Sequence, residues 1–212
     1  MKPDLSMYPD TDAASRAFCH GIEYPTNTTL KARTAWGWMT TAVEVKHDAS
    51  KSAFYFGEHK RGLLRDTKDG RYAQVQFSKY AAQILCRQHR VFTFLIYVSG
   101  TKARLTRWDR TGCVVSSPID LKKEPMKLLY FVYLLGLMSP AELGYDDTAV
   151  LATDEEIRSL RAMSHANEYA KERSKEILKP ETIMFHPIYK VRIDVSYLSR
   201  DFLMDNILDY SR

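Results

Sequence analysis

The chain is poor in cysteine. Three residues in 212, Cys19, Cys86 and Cys113, stand far apart and odd in number. That count excludes a disulfide scaffold and a CxxC metal site, and suits reduced thiols. No window approaches the ~18 consecutive apolar residues of a membrane span; the longest candidate, Leu128 to Met138, suits a buried helix. No apolar stretch follows Met1-Lys2-Pro3-Asp4, so no secretory signal is expected, and Asn27-Thr28-Thr29 is a sequon by composition only. These absences predict an intracellular protein, cytoplasmic or nuclear, with no membrane partner. The six histidines show no ligand spacing, and Ser and Cys nucleophile motifs are missing.

What is present is enough to fold. At 45% hydrophobic, 212 residues can fill a core and support one ordinary domain or one domain plus a fragment. The net charge of +5 is modest, with basic clusters over Lys51 to Lys68 (Lys51, Lys60, Arg61, Arg65, Lys68) and Arg87 to Arg110. That balance permits a polyanionic partner without demanding one.

Hydrophobic periodicity predicts a mixed α/β (α+β) protein: a mixed central sheet flanked by helices. Residues 5 to 40 read as irregular. Thr40 to His47 alternates around Val43 and Val45, which should face the core, and reads as a strand. Phe54-Tyr55-Phe56 begins another apolar run. Arg71 to Arg90 repeats Phe77, Tyr80, Ala81, Ile84 and Leu85 at helical spacing. Val91 to Val98, continuous and β-branched, is expected as a central strand. Ser99-Gly100 turns the chain into a strand over Lys102 to Trp108, and Asp109-Arg110-Thr111-Gly112 turns it again into Cys113 to Ser117. Met126 to Met138 reads as an apolar helix, and Thr153 to Lys179 as one long polar helix with Thr153 as N-cap. Ile188 to Val195 alternates as a strand, followed by a short amphipathic tail.

One constellation has a mechanism attached. On a strand, Glu44 and Lys46 share a face. Asp4, brought in by a neighbouring strand, would complete two carboxylates able to hold Mg²⁺ beside an ammonium. Gln76 and Tyr80, four apart, share a face of the next helix. Pro3-Asp4, Glu44-Val45-Lys46 and Gln76-x-x-x-Tyr80 together resemble the PD-(D/E)xK nuclease motif and the accessory motif of its RecB-type members. The resemblance implies a nuclease-like fold, incomplete at its N-terminus because no helix and strand precede Asp4. It also implies a candidate catalytic set of Asp4, Glu44, Lys46, Gln76 and Tyr80, with Asp4 and Glu44 as metal ligands; no other cofactor is indicated. The alternative is a solvated Glu44–Lys46 pair with no chemistry.

The richest stretch runs from Gln88 to Gly112. Gln88-x-Arg90-x-Phe92-x-Phe94, Gly100, Arg104-Leu105-x-Arg107-Trp108-Asp109-Arg110-x-Gly112, Ser116, Pro118, Asp120 and Gly144-x-Asp146-x-Thr148 resemble the fungal-type protein kinase family across nearly the whole chain. The resemblance implies a kinase-containing protein, yet the last glycine is Gly144, so no glycine-rich loop can follow. No His-Arg-Asp or Asp-Phe-Gly occurs; Arg200-Asp201-Phe202-Leu203 mimics the latter without its glycine. Ile188-Tyr189-Lys190-Val191 looks like the approach to a kinase small lobe. The expected organisation is a nuclease-like domain over 1–150, a connecting helix over 151–180 and a truncated small-lobe start over 181–212. The function implied is a regulatory or scaffolding segment ahead of a kinase core, its partner being that core or another protein. The alternative is a Mg²⁺-dependent nuclease or nucleic-acid-binding module. Within the hairpin, Trp108 and Arg104 share a strand face and can stack, while Asp109 can cap its turn. A structural role comes first; the other reading has exposed Arg104, Arg107 and Arg110 beside Trp108 contacting phosphate or nucleic acid.

Overall fold

The computed structural model describes residues 2–19, 33–57, 62–164, 167–195 and 198–204. His20, the sequon at Asn27, His59, Lys60, Arg61 and His165 lie outside them. In chain order the elements are β1 (Leu5–Met7), α1 (Asp12–Cys19), β2 (Thr41–Lys46), α2 (Lys68–Arg87), β3 (Phe92–Ser99), β4 (Lys102–Asp109), β5 (Cys113–Val115), β6 (Ile119–Asp120) and α3 (Pro125–Leu137). Then follow β7 (Ala149–Leu151), α4 (Asp154–Ala162), α5 (Glu168–Ile177), α6 (Pro180–Phe185), β8 (Tyr189–Val195) and β9 (Leu198–Met204). The protein is mixed α+β, as its periodicity indicates. No helix among the described residues is long and apolar enough to cross a membrane.

Two compact units form. The first takes Met1–Tyr8, Met39–Leu85 and Arg90–Gly144. Its sheet runs β1-β2-β3-β4-β5, with β6 also on β4. Among its described strands only β2 and β3 are parallel, Glu44 beside Tyr97, and that pairing needs a crossover, which α2 supplies. β3 sits in the middle, as its unbroken apolar run predicts. The β3–β4 hairpin closes from Ser99 opposite Lys102, leaving Gly100 at φ 57, where a glycine is needed. α2 buries Phe77, Tyr80, Ala81 and Ile84, four of the five positions its spacing marks out, with Leu85 half-buried and Ala73 buried besides. Phe77 is the hub: its ring lies 5.1 Å from Tyr97 and 5.7 Å from Trp108, edge-on to both. On the opposite sheet face Phe94 meets Phe131 of α3 at 5.8 Å. Each fully buried side chain of this kind contributes about 1.5–3 kcal/mol.

The second unit holds Pro9–Trp38, Cys86–His89 and Tyr145–Arg212. It has its own sheet, β7-β8-β9, antiparallel throughout. Thr153 forms a reciprocal capping box with Glu156, and Glu156 also takes a 2.7 Å bond from Lys190. That bond, chiefly, holds the Glu156 carboxyl at about 2. The Trp38 indole donates to the Met184 carbonyl at 2.7 Å.

Three expectations need correction. Residues 5–40 are not simply irregular: β1 pairs with β2, and α1 buries Ala14 and Ala17. A three-residue strand is too short for alternation to reveal it. The helix expected over 153–179 is two helices, α4 ending with Met163 in extended backbone and α5 restarting from its own N-cap, Asn167. Uniform polarity hid that break. Of the tail after Val195, Leu198–Met204 is strand β9, hydrogen-bonded along β8 from Tyr189–Met204 to Val195–Leu198; residues 205–212 lie outside the described residues.

Candidate functional site

The five residues Asp4, Glu44, Lys46, Gln76 and Tyr80 come from three parts of the first unit, and the fold brings them together. The Asp4 amide donates to the Val43 carbonyl at 3.2 Å, and the Asp4 carboxylate accepts from the Val45 amide at 2.7 Å. Asp4 therefore clips onto β2 on either side of Glu44. From β2, Glu44 and Lys46 project to the α2 side of the sheet. Lys46 Nζ donates to Glu44 Oε1 and, at 3.2 Å, to Gln76 Oε1. Gln76 Nε2 donates to the Tyr80 hydroxyl at 2.7 Å. The single Tyr80 hydroxyl proton stands between Glu44 Oε2 at 2.9 Å and the Lys2 carbonyl at 2.8 Å.

Burial changes the meaning of this group. Glu44 is 1% exposed and Lys46 23%, so the pair is not solvated. Val43 is buried as expected and Val45 half-buried, but Glu44, expected on the opposite face, is buried as well. β2 buries Ala42 and Glu44 on the α2 side and Val43 on the other, so both of its faces are covered. A carboxylate so placed is stable only if paired and hydrogen-bonded. Glu44 has both oxygens engaged.

Burial, above all, pushes the Tyr80 hydroxyl far above its ordinary range, with Glu44 and Asp4 adding to it. Tyr97, whose hydroxyl accepts from the Ala53 amide at 2.8 Å, is raised by burial too. Folded-state values above the unfolded value of 10.0 mean that each tyrosine keeps its proton in the fold while losing it in the unfolded chain. Stability is then full below pH 10 and declines above it, by up to about 1.4 kcal/mol per pH unit for each such group. Urea midpoints measured from pH 8 to 11 should fall beyond pH 10, and more shallowly in Tyr80→Phe.

Could this group hold a metal? Among the described residues no cluster of three or more His, Cys, Asp and Glu is placed for one. Asp4 is exposed and Glu44 buried, and both carboxylates are engaged, Asp4 with the Val45 amide and Glu44 with Lys46 and Tyr80. Two carboxylates suit Mg²⁺, which keeps several waters, and exclude an all-protein cage.

The arginine hairpin is built differently from expectation. Arg104 is 7% exposed. It donates to the Ser116 carbonyl at 2.6 Å and the Tyr55 carbonyl at 2.7 Å, over the Phe56 ring at 5.1 Å. It does not stack on Trp108, whose indole packs on Phe77 and donates to Thr106 at 2.9 Å. Arg104 is thus no exposed phosphate contact; four residues along a twisted strand, it and Trp108 meet different neighbours. Arg107 lies 4.0 Å over the Phe92 ring and bonds Asp109 at 3.2 Å. Asp109 caps the turn through the Thr111 and Gly112 amides, at 2.8 and 3.1 Å. Arg110 is exposed. Arg104→Ala should therefore cost about 2–3 kcal/mol of stability by stranding two carbonyls, seen as a lower urea midpoint.

One organising residue went unnoticed as such. Arg90 is 2% exposed and reaches the Thr40 carbonyl at 3.1 Å and the Leu143 carbonyl at 3.4 Å. Its sequence signal was its place in the Gln88-x-Arg90-x-Phe92-x-Phe94 stretch, directly before an apolar strand.

A mixed sheet with a buried Glu–Lys–Gln–Tyr centre and a braced arginine hairpin defines an α+β protein whose polar residues mostly hold the fold. Residues 41–187 match the fungal protein kinase family, and the chain belongs to it. The match opens at the first residue of β2; it includes Glu44, Lys46, Gln76, Tyr80 and the arginine hairpin but not Asp4. No curated protein and no solved structure gives a match.

Proposed function

We propose that the chain is a regulatory or scaffolding module of the fungal protein kinase family that transfers no phosphate itself, with a kinase core as its partner. The observation that carries this reading is the closed state of its polar centre. Glu44, Lys46, Gln76 and Tyr80 spend their hydrogen bonds largely on one another, and the Lys46 ammonium that a nucleotide phosphate would need is paired with Glu44. The sequence supports it, having no glycine after Gly144 and neither His-Arg-Asp nor Asp-Phe-Gly. Incubation of the purified chain with ATP, Mg²⁺ and protein substrates should give no transfer above a blank. Phosphorylation that scales with the chain would refute the reading.

A second reading is favoured by one specific fact, the convergence of Asp4 on the Glu44–Lys46 strand. In a PD-(D/E)xK-type nuclease Asp4 and Glu44 would hold Mg²⁺, which supplies an activated water. Lys46 would orient that water, Gln76 would hold Lys46, and Tyr80 would fix Glu44. Plasmid cleavage in Mg²⁺ or Mn²⁺ decides between them. Cleavage lost in both Glu44→Ala and Lys46→Ala supports the nuclease, and cleavage that survives both removes it.

A further inference from the structure

Helix α3, Pro-Met-Lys-Leu-Leu-Tyr-Phe-Val-Tyr-Leu-Leu-Gly-Leu, is apolar on every side and carries one charge, Lys127. Such a helix is normally buried all round. Here only one side is. Leu135 is buried and Phe131 meets Phe94. The other side leaves Met126 68%, Leu129 57%, Tyr130 62%, Tyr133 62% and Leu137 64% exposed. Met126, Tyr130, Tyr133 and Leu137 are spaced four, three and four, the seam by which one helix packs on another. Five such side chains present on the order of 500 Å² of apolar surface, at the upper end for a monomer.

We infer that this face pairs two copies of the chain, α3 against α3, antiparallel about a two-fold axis. The seam is its own complement. A two-fold between Phe131 and Val132 sets Met126 against Leu137 and Tyr130 against Tyr133, each contact made twice, as an isologous interface requires. Charge favours the same orientation. Lys127 is taken up by Glu124 at the N-cap, at 2.7 Å, which leaves exposed Lys122 and Lys123 as the cations ahead of the helix while Glu142 follows it, and antiparallel pairing brings those two lysines to the other copy's carbonyl end and Glu142. Pairing removes roughly 1,000 Å² in total, about the minimum for a specific interface. A parallel pair would instead set lysines against lysines.

Sedimentation equilibrium at tens of micromolar should give a dimer, twice the 24.5 kDa chain. Tyr133→Glu, an exposed change that leaves the circular dichroism intact, should weaken it at least ~100-fold, and Tyr130→Glu likewise. Orientation is read by oxidative cross-linking on a Cys113→Ser background. Met126→Cys with Leu137→Cys should link two chains, whereas Met126→Cys alone should not. A chain that stays monomeric overturns the inference, even if a kinase core then covers α3. So does a dimer indifferent to both tyrosine changes, or linking by the single cysteine.

Discussion

Replacing Glu44 by alanine should lower the unfolding free energy by about 3–5 kcal/mol, with no change in the slope of the urea transition. Glu44 is 1% exposed and lies between Lys46 and Tyr80. Removing it takes the counter-ion from Lys46, which keeps only Gln76, and leaves the buried Tyr80 hydroxyl with the Lys2 carbonyl as its acceptor. Lys46, at 23% exposure, can turn toward water, and this relief sets the lower figure. Tyr80, at 0%, cannot. Burying two charges is itself costly, so replacing both should do better than replacing one. Glu44→Met with Lys46→Met is expected to recover much of the loss, because no uncompensated charge then remains. A cost under about 1 kcal/mol for Glu44→Ala would put the carboxylate in the class of exposed ion pairs. This cycle also bears on function. If the double methionine variant is as stable as the natural chain, the charges are not there for the fold's sake, and the nuclease reading gains.

The elements legible in the sequence are those whose burial follows one period. The stripe Phe77, Tyr80, Ala81, Ile84 announces α2, and the unbroken run after Val91 announces a strand covered on both faces. Glu44 shows where the pattern misleads. In alternation with Val43 and Val45 it reads as the polar, outward position of a half-buried strand, yet a second layer of helix lies over it. Burial of the outward face depends on α2, thirty residues away, and strand periodicity holds no sign of that. The hairpin fails in the same way. Arg104 looks exposed because arginine usually is, and only the fold reveals that the Tyr55 and Ser116 carbonyls are waiting for it. Local chemistry reads better. Asp109 with Thr111 and Asp146 with Thr148 use one device, an Asp side chain taking both the amide and the hydroxyl of a threonine two residues on, and Asp-x-Thr is visible without any structure. The dimer seam is legible too: the apolar helix was evident, but only the sheet tells which of its sides is left over.

Gly144→Ala should be the most damaging single methyl in the first unit, at about 4 kcal/mol or more. Gly144 opens the Gly-x-Asp-x-Thr stretch that resembles the family pattern, and two separate costs meet there. Its φ of +90 lies where L-residues are strained. A Cβ would also fall 2.2 Å from the Phe92 carbonyl oxygen and 2.9 Å from the Phe92 ring. The oxygen belongs to the backbone of β3, the middle strand, and cannot swing aside as a side-chain end would. Nor can Gly144 retreat freely, because its carbonyl accepts from the Val91 amide at 2.8 Å. Gly100→Ala separates the two costs. Gly100 has φ +57 but nothing within 4 Å of its Cβ position, so it should lose only the conformational part, about 1 kcal/mol. Urea unfolding of the two variants side by side gives the steric contribution by difference. Equal losses would mean that β3 yields to the methyl, and that glycine at 144 answers to backbone conformation alone.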